Sequence, residues 1–164
     1  MKRLAILAAI AAAPPALGQQ TPYVLPEITL TANREQTEIG RSGSSVSVIG
    51  AAALADRTAQ PIADSIAELP GVAIRQSGPL GTTGALQVRG APPEYTPVLI
   101  DGIDVSDPAA GQPYFDIGGL ITAGVGRIEL LRGTQSALYG SRAIAGVLSI
   151  DTLRPTEDGL RQNF

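Results

Sequence analysis

The sequence has no cysteine, no histidine and no tryptophan, and its single lysine stands at position 2. Without cysteine there are no disulfides and no thiol nucleophile. Without histidine there is no His-ligated metal and no imidazole base. Aromatic residues are few, 4 Tyr and 2 Phe in 164 residues. Lys2 and Arg3 belong to an N-terminal leader; beyond it 10 of the 12 basic residues face 15 acids, a formal charge of −5. An acidic chain lacking Lys and Trp is a poor nucleic-acid binder. No apolar run reaches the roughly 18 residues a membrane-spanning helix needs. What is plentiful is glycine and proline, 19 and 13 residues, which points to a turn-rich domain large enough for one core.

Catalytic patterns are equally scarce. There is no G-x-S-x-G elbow. Gly133 to Ser141 has the glycines of a phosphate cradle, but no lysine and the wrong spacing for a P-loop. Ser136 and Ser141 have no histidine to act as base. An enzyme is the weakest class, and no cofactor is assigned. Asp101, Asp104, Asp107 and Asp116 make the densest carboxylate cluster. A calcium ion takes roughly six to eight oxygen ligands, but this spacing does not fit an EF-hand loop. The cluster reads as a solvated acidic loop, with Asp101 serving a turn and Asp116 a helix cap, and no metal site is assigned.

Met1-Lys2-Arg3 is a basic n-region, residues 4–13 are an apolar run, and Ala16-Leu17-Gly18 is a small-x-small cleavage site before Gln19. Residues 1–18 thus read as a secretory signal peptide rather than a buried helix. Residues 19–44 read as a mobile segment. Within it Glu27-Ile28-Thr29-Leu30-Thr31-Ala32 alternates apolar and hydroxyl residues. Such a stretch can add as a strand to an exposed sheet edge or serve as an edge strand of its own domain. Thr37 to Ser44 reads as a Gly/Ser linker.

Short strands and helices then alternate, which gives an α+β fold: a small mixed sheet with short helices and long loops. Strands are expected at 45–49, 72–75, 86–89, 97–100 and 103–105. Asp101-Gly102 forms the hairpin turn between the last two. Helices are expected at 51–57, after Pro61 with Ile62, Ile66 and Leu69 as the apolar stripe, and over 117–121 capped by Asp116. Long loops fall at 77–84, 90–96 and 106–115. The chain closes on Arg127 to Thr152, read as strand, glycine turn, one helical turn capped by Thr134, glycine turn and strand. Gly133, Gly140 and Gly146 mark places of positive φ or close backbone approach. Arg127, Glu129 and Arg132 set charge beside strands that look buried, so they need partners.

That closing stretch, with Leu69-Pro70-Gly71-Val72, Val88-Arg89-Gly90 and Val98-Leu99-Ile100-Asp101-Gly102, resembles the plug domain of TonB-dependent outer-membrane receptors. The motifs occur in the family's order and cover roughly Glu27 to Thr152. The spacing from Ile74 to Gly90 is similar to the cobalamin receptors in particular. The resemblance implies a plug over 45–153, with 154–164 as the start of a linker to a transmembrane β-barrel or a truncated end. Such a barrel needs at least eight strands of about 9–11 residues and has no room in the remainder. It implies outer-membrane localisation, a small nutrient ligand such as cobalamin or an iron-siderophore, and TonB as periplasmic partner.

It also assigns residues. Residues 27–32 resemble the Ton box, which pairs with the C-terminal domain of TonB. Arg89 and Arg132, with Glu129, match positions that face the barrel wall; the plainer reading of each arginine is a strand-end side chain with its head in solvent. Thr82, Thr83, Tyr95, Tyr114 and Phe115 lie on loops that in the family reach the substrate; the plainer reading is loop or core packing. A soluble periplasmic binding module with a plug-like fold, without a barrel, is the alternative function.

Overall fold

The structure, a computed structural model, describes residues 28–29, 37–57 and 59–154. Its centre is a five-stranded mixed sheet in the order β3-β8-β9-β6-β7. These strands are β3 (Ser45–Ile49), β6 (Val98–Ile100), β7 (Ile103–Asp104), β8 (Val125–Arg132) and β9 (Gly146–Thr152). All neighbours run antiparallel except β6 and β9, which are parallel. Two small ribbons flank it: β1 (Ile28–Thr29) on β2 (Thr37–Glu38), and the hairpin β4 (Val72–Gln76) on β5 (Gly84–Val88). Among the described residues there are three short α-helices: α1 (Ala51–Ala55), α2 (Ile62–Ala67) and α3 (Ser136–Tyr139). The α+β expectation is met.

The branched apolar residues of β8 and β9 explain the centre. Strand alternation sends Ile128, Leu130, Leu148 and Ile150 to one face, where they pack with Leu54, Ile62, Ile66, Leu86, Val88 and Ile117. The opposite face carries Glu129, Leu131, Val147 and Ser149; there Val147 and Leu99 pack with Ala143 and Tyr139. The α2 stripe behaves as its spacing predicts: Ile62 and Ile66 are fully buried, while Asp64 and Glu68 point outward. Gly71 ends that element with φ +75°, a value that favours glycine.

Several local expectations change. Helix α1 stops at Ala55, two residues short of Arg57. Strand β5 begins at Gly84 and ends before Arg89, whose φ is +53°, outside strand geometry. Thr37–Ser44 is not a plain linker: it holds β2 and a 3-10 turn over Ile39–Arg41, because β1 gives Thr37 and Glu38 a pairing partner. No helix forms over 117–121. Its backbone is used elsewhere: Ile117 N–H donates to Gly84 O at 3.0 Å, and Leu120 O accepts from Ile62 N–H at 2.9 Å. Thr134 does not cap α3. The residue before the helix is Gln135, and the Thr134 hydroxyl donates to Ile144 O at 3.3 Å.

The glycines of the closing stretch divide into two kinds. Gly133 and Gly140 have φ of +110° and +87°. Gly146 is required by space: a Cβ there would lie 2.2 Å from the carbonyl oxygen of Leu131 on the paired strand. Gly146→Ala should therefore force β9 away from β8. We expect a loss of about 1–3 kcal/mol, read as a lower denaturant midpoint in chemical unfolding.

Candidate functional site

Thr29 is fully buried, and its hydroxyl donates to Oε2 of Glu129 at 2.8 Å. Glu129 is itself fully buried on β8, and its Oε1 accepts from Arg127 Nε at 2.5 Å. Burying a carboxylate is costly unless donors satisfy it, and this pair of donors does so from inside the domain. Glu129 was expected at a barrel wall. With Thr29 seated over it, its side chain has no exposed surface. Of the six residues of the 27–32 segment, Ile28 and Thr29 form β1; Glu27, Leu30, Thr31 and Ala32 lie outside the described residues.

The structure brings Arg89 and Arg132 together at one turn. The Arg89 N–H donates to Gly71 O at 2.7 Å. The Arg132 guanidinium donates to Pro70 O at 2.8 Å and to Ser45 Oγ at 3.0 and 3.1 Å. Partial burial, and then the neighbouring Arg89 charge, hold the Arg132 pKa below its ordinary value. Arg89 is exposed. Two cations at one edge, one of them partly desolvated, present a surface suited to carboxylates.

The loop residues do not form one cluster. Thr82 ties its own loop, its hydroxyl donating to Pro79 O at 2.7 Å, and Thr83 is exposed with its carbonyl accepting from Ser77 N–H at 3.1 Å. Phe115 packs against the core, and Tyr114 is half-buried. Tyr95, 39 % exposed, sits apart in a 3-10 turn, where its carbonyl accepts from Ala145 N–H at 3.0 Å.

Asp116, expected as a helix cap, instead joins two of these loops with glycines the sequence did not single out. Asp116 Oδ1 accepts from Gly84 N–H at 2.7 Å and from Gly118 N–H at 2.9 Å, and Gly81 N–H donates to Gly118 O at 2.9 Å. The backbones touch: a Cβ on Gly118 would lie 1.8 Å from Thr82 O, and one on Gly84 would lie 2.9 Å from Gly118 Cα. Arg142 adds a strut, pairing with Asp104 and donating to Pro113 O at 3.2 Å. The glycines at 84 and 118 were the only signal in the sequence. The four aspartates of the acidic cluster serve separate jobs: Asp101 binds Thr152, Asp104 meets Ser106 and Arg142, Asp107 closes on Ala109, and Asp116 holds this clasp. Among the described residues, no group of three or more acidic side chains is placed to hold a metal ion.

An α+β plug domain is the class this sheet, its flanking ribbons and its stitched loops define. Residues 38–147 match the family model of the TonB-dependent Receptor Plug Domain, and the chain belongs to that family. It is 33% identical over 127 residues to the vitamin B12 transporter BtuB of Vibrio vulnificus, covering 77% of this chain and 20% of that protein. It is 35% identical over 125 residues to BtuB of Photobacterium profundum, covering 76% and 20%. Among solved structures it is similar to the siderophore receptor PirA from Pseudomonas aeruginosa, with 33% identity, a TM-score of 0.50 and coverage of 68% and 19%. It is also similar to a G324V mutant of the ferric enterobactin receptor PfeA from Pseudomonas aeruginosa, with 28% identity, a TM-score of 0.55 and coverage of 78% and 19%. The chain spans about a fifth of the length of the curated relatives it matches.

Two outcomes follow from this geometry. Asp116→Ala removes one acceptor from two amides. Hydrogen exchange at Gly84 and Gly118 should rise by on the order of tenfold, while β8 and β9 keep their protection. The second concerns pH. Burial, then repulsion from Glu129 and Asp101, raise the Asp151 pKa above its ordinary 3.8, while two donors from Thr152 lower that of Asp101. A raised carboxyl means the native state binds its proton more tightly than the unfolded chain. Asp151 therefore weakens the fold as pH rises from 3.8 through the raised value. Asp101 acts oppositely, supporting the fold above 3.8 and losing that support as pH falls through its depressed value. Asp151→Asn should stabilise the domain at neutral pH, with the gain fading below pH 3.8 in denaturation curves taken across pH.

Proposed function

We propose that this chain is the plug of a TonB-dependent outer-membrane transporter and gates energy-coupled uptake of a scarce nutrient, cobalamin or an iron-siderophore. The observation that carries the reading is the family membership of residues 38–147 joined to a strand, Ile28–Thr29, that precedes the domain and docks on its central sheet. The names of the relatives, vitamin B12 and siderophore receptors, support the substrate class. In this reading residues 1–18 direct export, 19–44 carry the Ton box at 27–32, 45–153 form the plug, and 154–164 lead to the barrel.

Arg89 and Arg132 would face carboxylates on the barrel wall. Thr82, Thr83, Tyr95, Tyr114 and Phe115 would contribute to the substrate face, the first two and last two on loops linked by the Asp116 clasp. TonB, energised across the inner membrane, would pair with the Ton box from the periplasm and remodel the plug. The coupling is reciprocal: if substrate favours exposure of the box, TonB binding changes substrate affinity by the same factor. No covalent chemistry is needed.

The test is binding of a Glu27–Arg34 peptide to the periplasmic domain of TonB from the same organism. The native peptide should bind, and a Leu30→Pro peptide, which lacks a backbone donor, should not. Absence of binding by both removes the energy-coupling role.

A further inference from the structure

The contact between Thr29 and Glu129 joins residues 100 apart in sequence. Strands β1 and β2 have two residues each and pair Ile28 with Glu38 and Thr29 with Thr37. A ribbon that short is not stable in water by itself. Its hold on the domain includes a side chain that leaves no surface exposed: Thr29 reaches β8 and its hydroxyl donates a hydrogen bond to a carboxylate that is equally buried. A hydrogen bond to a buried carboxylate is among the stronger ones.

We propose that the Thr29–Glu129 hydrogen bond is a latch that keeps β1 in its pairing with β2. While the latch is closed, the backbone edge of β1 that faces Thr37 and Glu38 is occupied within the chain, so β2 stands where an added strand would pair. Opening it withdraws the hydroxyl from Glu129 and lets water reach the carboxylate. Arg127, on the same strand as Glu129, keeps the charge paired in both states, so opening does not strand a bare buried ion. Glu129 is thereby a positioning residue for the N-terminal segment rather than a contact of the outer surface. The purpose of the latch rests on reading 27–32 as the Ton box; its geometry does not.

The test is hydrogen exchange in the full-length protein at the amides of residues 28–29 and 37–38. Thr29→Val keeps the shape and removes the hydroxyl; Thr29→Ser keeps the hydroxyl. We expect exchange about tenfold or more faster in the valine variant and within about threefold of wild type in the serine variant, with protection over Ile128–Leu131 unchanged in both. A valine variant within about twofold of wild type overturns the latch. Binding of the periplasmic domain of TonB is measured on the same variants, with tighter binding expected for valine. Faster exchange in the valine variant with no TonB binding by any variant upholds the latch and removes the Ton-box reading instead.

Discussion

Burying both faces of β8 is the constraint on which the rest of this domain depends. Ile128, Glu129, Leu130 and Leu131 are all without exposed surface. Ile128 and Leu130 meet that demand by joining the main core, an ordinary consequence of strand alternation. Glu129 cannot. A carboxylate in the interior must be given donors, and they come from Arg127 two residues back and from Thr29 far upstream. The one charged side chain of β8 that is fully buried thus ties down the N-terminal segment. The same strand pairs with β3 on one side and β9 on the other, so that segment is tied to an interior strand of the central sheet.

The loops obey a different economy. They have little apolar surface to bury, and their order comes from backbone hydrogen bonds across close contacts. Gly84 and Gly118 approach so nearly that neither tolerates a side chain, and one Asp116 oxygen accepts from both amides. Arg142 joins the β6–β7 hairpin to the loop through Pro113. Loop 77–84 and loop 106–115 are consequently held to one another as well as to the sheet. Segment 117–125 then runs past α2, through the Leu120 and Thr122 hydrogen bonds, directly into β8. The loop clasp and the Thr29 contact therefore lie on one continuous stretch of backbone.

Charge is distributed with the same logic. Glu68 and Arg57 neutralise each other in the open, where such a pair contributes little. Arg89 and Arg132 do the reverse, standing together at one edge with carbonyl and hydroxyl acceptors for Arg132. Like charges gathered at a surface favour a partner of opposite sign.

Much was settled by the amino-acid order itself. Branched apolar runs specified β8 and β9, the Ile62–Ile66 spacing specified the buried face of α2, and Asp101-Gly102 specified the β6–β7 hairpin, because each depends on neighbours within a few residues. The glycines at 133, 140 and 146 were likewise legible as punctuation. Only the tertiary structure decided that Asp116 serves as a clasp rather than a helix cap, that Thr134 turns to Ile144, that Thr37–Ser44 is ordered by a strand from upstream, and that Glu129 faces inward beneath Thr29. In each case a side chain or backbone group that local rules left with several possible partners was claimed by one brought near by folding. Sequence spacing constrains the residues a turn away; it is silent on which of the distant ones will arrive with a donor.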